Sequence, residues 1–217
     1  MNINILCDNK NSWFWNTSSD FLKELDSRGC KVNLCKNESE LKKAEISAFI
    51  SCTKIVSPIG LKKSQSNIVC HPSDLPSGRG FSPIAWEILN KSNQIIFTLF
   101  EADEEIDNGE IYMKRKIKLK GTELNDEIKI IQAETTYSMI LEYVDNYPQN
   151  ASRKQEGVAT YYPRRTPKDS ELDIQDSIEN QFNLLRIVDN NLYPAFFFYK
   201  DQKYTIKIEK DEDNLNY

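Results

Sequence analysis

Asn67-Ile68-Val69-Cys70-His71-Pro72-Ser73-Asp74-Leu75-Pro76-Ser77-Gly78-Arg79-Gly80-Phe81-Ser82-Pro83-Ile84-Ala85-Trp86 is the stretch that decides the fold. It opens on a short apolar run, Ile68 to Cys70, of the kind that forms a buried strand. It then crosses residues rich in proline, glycine and serine, which read as loop. Order resumes at Pro83, a residue favoured at the first helical position, with Ser82 as the expected N-cap. Strand, loop and helix in that order are the unit of a parallel sheet wrapped by helices.

The pattern repeats on both sides. Upstream, residues 3–7 are an apolar run ended by Asp8, Asn9, Lys10 and Asn11. Phe21, Leu22 and Leu25 stand at helical spacing over 18–27, and Gly29 is a stop signal. Short strands are expected at 32–34 and 46–51. Downstream come a helix over 83–90 and a buried strand over 94–100. Asp107-Asn108-Gly109 marks a turn, and the alternation at 110–118 suits an outer strand. A long helix fits 124–146, with Leu124, Ile128, Ile131, Thr135, Met139 and Tyr143 on one broad face. Residues 147–167 hold Pro148, Gly157, Pro163 and Pro167 and read as a connecting arm. A helix at 174–188 and a hairpin of 195–199 and 204–209 follow, and the tail 211–217 is expected to fray.

The 217 residues suit one α/β domain with a small appendage. The net charge of −5 and the pI of about 5.1 speak against a nucleic-acid binder. Cys7, Cys30, Cys35, Cys52 and Cys70 form no C-x-x-C pair and no zinc-like spacing. They read as small core residues of a reduced, cytoplasmic protein, and no metal site is expected. The start lacks the layout of a signal peptide, and no apolar run is long enough to cross a membrane.

His71, the single histidine, ends a strand, where open α/β sheets bind ligands. It could be a satisfied structural residue or a proton donor and acceptor. Asp107 could be a turn former or a carboxylate partner. Each follows a buried strand, so the two could meet at one sheet edge as an acid–base pair. No G-x-S-x-G elbow, GxGxxG or Walker loop accompanies them.

The same residues resemble the signature of the formyltetrahydrofolate-dependent formyltransferases. Its pattern is roughly N-x-H-x-S-x-L-P-x-x-R/K-G, then P-x-x-W, a strand, and D-x-G. The match covers about residues 46–118. One departure is Val69, where the family has asparagine; Asn67 stands two residues earlier on the same strand face, roughly 13 Å from His71 at about 3.3 Å per residue. The H-x-S-D-L-P-x-G-x-G variant and the stretch 164–173 are similar to the sugar N-formyltransferases of pseudaminic-acid-type pathways.

The resemblance implies an α/β, Rossmann-like, mostly parallel sheet with helices on both faces. A catalytic domain would span 1–150, and a short arm, helix and hairpin 151–217. It implies transfer of a formyl group from N10-formyltetrahydrofolate to the primary amine of a nucleotide-linked amino sugar, a UDP-4-amino-4,6-dideoxy sugar being the expected acceptor. Other readings are another small or carrier-bound amine, or a non-catalytic folate or nucleotide-sugar binding module. His71, Asp107 and Asn67 form the implied catalytic set, with His71 donating to the formyl oxygen or shuttling a proton. Ser51, Thr53, Lys54, Ile55, Val56, Glu104 and Ile106 would hold the folate. Asn9, Ser12, Trp13, Ser73, Gly78, Arg79 and Arg165 would hold the nucleotide sugar. Trp86 reads as core. The apolar stretch 193–199 reads as an inner strand or a homodimer contact.

Overall fold

The computed structural model describes residues 1–211. Residues 212–217 of the tail expected to fray lie outside the described residues. β1 (Asn2–Leu6) leads through α1 (Phe14–Thr17) and α2 (Ser19–Ser27) to β2 (Lys31–Cys35). β3 (Ala44–Phe49), α3 (Pro58–Leu61) and β4 (Ser64–His71) follow. After β5 (Arg79–Gly80) and α4 (Pro83–Leu89) come β6 (Gln94–Glu101), β7 (Ile111–Lys118) and α5 (Asn125–Asn146). β8 (Tyr161–Tyr162), α6 (Ile178–Ile187), β9 (Ala195–Tyr199) and β10 (Gln202–Ile206) complete the chain.

Among the described residues the central sheet runs β2-β1-β3-β4-β6-β7. β2, β1, β3 and β4 are parallel, and β6 and β7 are antiparallel to their neighbours. The chain steps outward from β1 to β2, then crosses back over β1 to β3 and on to β4. Right-handed crossovers in opposite directions leave their connections on opposite faces. α1 and α2 accordingly cover one face, together with α5. There Ile3, Ile5, Ile46, Ala48, Ile68, Phe97 and Leu99 pack against Phe21, Leu25, Met139 and Ile140. The other face is covered thinly, by the 3-10 turn Glu38–Glu40 and by α3, over Leu6, Cys35, Leu41, Phe49 and Val56.

Several boundaries differ from expectation for local reasons. β4 starts at Ser64, four residues before its apolar run, because its polar side chains are bonded within the fold. Ser66 Oγ donates to Glu101 Oε2 at 2.8 Å, and it shares a hydrogen bond with the Tyr143 hydroxyl at 2.7 Å. Ser82 does not cap α4: its backbone is left-handed, at φ 51, and its side chain makes no capping bond. α6 starts at Ile178 because Ser177 Oγ accepts from the Asn180 N–H. The hairpin turns in two residues, Lys200 and Asp201, at φ 47 and 64, so β10 starts at Gln202. On that hairpin Phe196 is buried, while Phe198, Tyr199 and Tyr204 are exposed.

The arm is tied down rather than loose. β8 pairs in parallel with β5, and Trp86 Nε1 donates to the Pro163 carbonyl at 2.9 Å. Trp86 also stacks on Tyr162, so it is a pin for the arm and not the core residue expected. α6 is fastened by Arg186, which is fully buried. Its Nη2 meets Glu123 Oε2 at 2.8 Å, Nε donates to the Glu123 carbonyl, and Nη1 donates to Asn93 Oδ1. No helix among the described residues is long and apolar enough to cross a membrane.

Candidate functional site

β1 is flanked by β2 and β3, and the chain leaves it in one direction and returns in the other. This is the switch point of the sheet, where the loops beyond adjacent strands part and leave a crevice. A cleft of about 690 Å³ opens there. Asn9, Ser12 and Trp13 from the loop after β1, and Ile50 through Val56 after β3, line it together with His71 at the end of β4. Its floor is the thinly covered sheet face, where Phe49, Val69 and Phe100 stand.

Asp107 reaches His71 by a route that the sequence did not suggest. β6 is antiparallel to β4, so its end at Glu101 lies beside Ile68, not beside His71. The loop 102–110 must fold back across β4 to bring Asp107 to the strand end. Its start is pinned by the Ala102 N–H on the Asn67 carbonyl, and its return by the Glu101 N–H on the Glu110 carbonyl. A register shift in the β6–β7 pairing at Leu99/Phe100 lies at its base. Gly109 is where the two limbs touch: a Cβ there would stand 1.7 Å from the Glu101 carbonyl oxygen. Gly109→Ala is therefore expected to cost about 1–3 kcal/mol. It should also free the Gly80 N–H, which Asp107 holds, to exchange with solvent. Thermal unfolding and amide hydrogen exchange at Gly80 check this.

His71 is 7% exposed. Its Nε2 lies 2.8 Å from the Gly78 carbonyl oxygen. A carbonyl only accepts, so Nε2 carries a proton. Nδ1 is then the nitrogen beside Asp107, whose Oδ2 is 3.6 Å away and also accepts from the Gly80 N–H at 2.8 Å. In the neutral ring Nδ1 can take a proton; once it does, the adjacent carboxylate stabilises the charge.

Of the expected folate residues, Ser51, Thr53, Lys54, Ile55, Val56 and Ile106 line the cleft, and Glu104 does not. Glu104 and Glu105 are both exposed, but Glu105 lines the cleft together with the half-buried Asp103. The backbone of Lys54 to Val56 makes no hydrogen bond among the described residues. With Val56, Phe49 and Phe100 beside it, this wall suits a flat heterocycle with polar edges.

Of the expected sugar residues, Asn9, Ser12, Trp13 and Arg165 line the cleft; Ser73, Gly78 and Arg79 do not. Successive residues of β5 face opposite ways. Gly80 fronts the cleft, while Arg79 lines a separate cavity of about 550 Å³ on the arm side. Gly78 serves His71 through its carbonyl, and Ser73 is buried beneath the loop. Asn67 is also displaced from the expected catalytic set. Its Nδ2 donates to the Leu61 carbonyl at 3.0 Å and it does not line the cleft, because it stands four positions before His71 on the strand.

Arg165 is unusual in its surroundings. Its Nη2 donates to the Asp169 carbonyl at 2.9 Å, but its buried Nε has no acceptor. Among the described residues no carboxylate forms an ion pair with it. Burial pulls its guanidinium below the ordinary range, against the charge of Asp169. Next to it, Arg164 lies over the Phe81 ring at 4.5 Å.

Residues not singled out from the sequence include Asn125, Lys129, Gln132 and Thr136, which form one wall of the cleft. Their three- and four-residue spacing along α5 was a visible signal, a polar stripe beside the apolar face. The cysteines lie in or beside the core. Burial pushes the Cys52 and Cys70 thiols up to about 12 and Cys35 to about 11, which disfavours the reactive thiolate.

Comparison with known proteins bears on the family. The methionyl-tRNA formyltransferase of Thermodesulfovibrio yellowstonii is 29% identical over 151 residues, covering 65% of this chain and 46% of that protein. The chain spans about half the length of the curated relatives it matches. Among solved structures, a methionyl-tRNA formyltransferase from Clostridium thermocellum aligns with a TM-score of 0.82 at 25% identity, over 99% of this chain and 95% of that one. A sugar N-formyltransferase from a Shewanella species shares the fold, with a TM-score of 0.66 at 17% identity over 99% of both chains. The model of the formyl transferase family matches residues 17–144, more than half of the sequence, and the chain belongs to that family.

Proposed function

We propose that this formyl transferase moves a formyl group from N10-formyltetrahydrofolate to the primary amine of a nucleotide-linked amino sugar. The acceptor we assign is a UDP-linked 4-amino-4,6-dideoxy sugar of a pseudaminic-acid-type pathway. The observation that carries this reading is a single cleft containing both the His71–Asp107 pair and Arg165. A guanidinium with a buried N–H lacking an acceptor and no carboxylate partner matches the phosphate oxygens of a nucleoside diphosphate. Lys54 to Val56 and Ile106 would hold the folate on the opposite wall. Residues 1–150 would supply the chemistry, and 151–217 would complete the acceptor side through Arg165.

N10-formyltetrahydrofolate supplies the formyl group and leaves as tetrahydrofolate. His71 Nδ1 accepts the proton that the attacking amine gives up and returns it to the departing N10. Asp107 stabilises the imidazolium between those two transfers. General acid–base help of this kind contributes about 10²–10⁴-fold. When protonated, Nδ1 can also donate to the developing oxyanion, the role for which Asn67 is too far down the strand.

A second reading, an aminoacyl amine carried on tRNA, draws on the methionyl-tRNA formyltransferases among the similar proteins. The net charge of −5 favours the small acceptor, because binding RNA rests largely on cationic side chains. The test offers the protein N10-formyltetrahydrofolate with the UDP-linked amino sugar or with methionyl-tRNA, and follows each acceptor by mass. Gain of one formyl group by the sugar supports the first reading. Gain by the tRNA alone replaces it with the second.

A further inference from the structure

Gln155 lies on the arm and does not line the cleft, yet its side chain reaches the loop that carries Asp107. Its Nε2 donates to two carbonyls of that loop, Asp107 at 2.8 Å and Gly109 at 2.9 Å. Its Oε1 accepts from Arg79 Nη2 at 2.7 Å. Arg79 is itself 7% exposed and lies against the Tyr161 ring. Asp107, whose carbonyl takes the first of these bonds, sits at φ 50, a left-handed backbone that costs a residue other than glycine some strain. Both carbonyls follow that φ, so one amide group holds the backbone from Asp107 to Gly109 as it leaves the left-handed residue.

The neighbouring arm residues fasten the same region. Arg153 and Ile111 exchange two backbone hydrogen bonds, at 2.7 and 3.0 Å. Thr160 holds the loop after His71: its Oγ1 accepts from the Gly78 N–H at 2.8 Å, and its carbonyl accepts from the Arg79 N–H. The Gly78 carbonyl in turn accepts the hydrogen bond from His71 Nε2. The arm thus touches the loop of each member of the pair, and Gln155 is the side chain that joins Arg79 to the backbone of Asp107.

We infer that Gln155 is a positioning residue: it sets the backbone of Asp107 so that the carboxylate faces His71 Nδ1. The inference rests on the reading of His71 and Asp107 as the reacting groups. Misplacement of a reacting group by about 1 Å can cost around 10²-fold in rate. Its Oε1 bond to Arg79 fastens the arm, and its Nε2 bonds act on the Asp107 backbone.

Gln155→Glu separates the two roles, because it keeps an oxygen for Arg79 but replaces the amide donors with carboxylate oxygens facing two carbonyls. Gln155→Ala removes both. We expect each variant to lower kcat about 10- to 100-fold, with KM for the formyl donor changed less than about twofold. Melting curves check that each variant remains folded. The second readout needs no substrate. His71 is the only histidine of the chain, so its imidazole ¹⁵N resonances stand alone. Asp107→Asn should displace the Nδ1 resonance, and both Gln155 variants should displace it in the same direction. An Nδ1 resonance in Gln155→Glu that stays at the wild-type position overturns the inference, whether or not kcat falls. If the wild type formylates no amine, the proposed reaction fails instead, and the Nδ1 resonance alone decides the positioning role.

Discussion

Asp107→Asn is expected to lower kcat for formyl transfer by about 10²–10⁴-fold while leaving KM for the formyl donor nearly unchanged. The substitution keeps the size of the side chain and leaves an oxygen that can still accept from the Gly80 N–H. What it removes is the negative charge 3.6 Å from His71 Nδ1. That charge matters little while the imidazole is neutral and most when it is protonated, so the loss belongs to the transition state rather than to binding. Steady-state rates with either acceptor separate the two parameters, and a melting curve confirms that the loop is intact. A variant that retains kcat within a few-fold would remove Asp107 from the chemistry and leave it as a ligand of Gly80.

The largest effect on stability is expected at Arg186. Arg186→Met should cost about 3–5 kcal/mol, because it leaves the Glu123 carboxylate buried without its cation. For a chain of this size that lowers the melting temperature by on the order of 10 °C. The double variant Arg186→Met, Glu123→Gln should recover part of the loss, since it removes the stranded charge as well. Acid unfolding gives an independent check. Burial pushes the Glu123 carboxyl up, but the N–H groups of Lys120 and Gly121 and the charge of Arg186 outweigh it and hold the group below the usual carboxylate range. A group depressed in the folded state contributes its full stability above its unfolded pKa, near 4.3, and loses it as pH falls through the folded value. Without Arg186 the folded value rises, so the acid transition should begin at higher pH. Ile187 and Val188 line the cleft immediately after Arg186, so the same variant should also weaken acceptor binding.

The parts of the site that were legible in the sequence are those carried by one strand or one turn. His71 could be placed because an apolar run ended on it, and Asp107 because Asn108-Gly109 marked a turn. The direction of β6 was not legible, since a buried strand reads the same either way, and with it the fold-back of loop 102–110 was hidden. Arg79 and Gly80 could not be told apart because their facing is set by pairing with Tyr161 and Tyr162, far along the chain. The polar stripe Asn125, Lys129, Gln132 and Thr136 was visible, but a stripe does not say what it faces. Asn67 is the nearest asparagine to the family position, but the strand rise sets it too far from His71 to share its role.

The arm's contacts also bear on the order in which the molecule comes together. Nearly all of the main hydrophobic core lies at or before Val144, with Ile187 the exception among its buried residues. The ties that close the two loops come later, from Arg153, Gln155, Thr160 and the Tyr161–Tyr162 strand. Because a chain leaves the ribosome amino end first and can begin to fold as it emerges, the sheet has its core before the loops around His71 and Asp107 have their fastenings. A nascent chain ending near residue 146 would hold the scaffold with its loops unfastened, and aligned chemistry would arrive only with the arm.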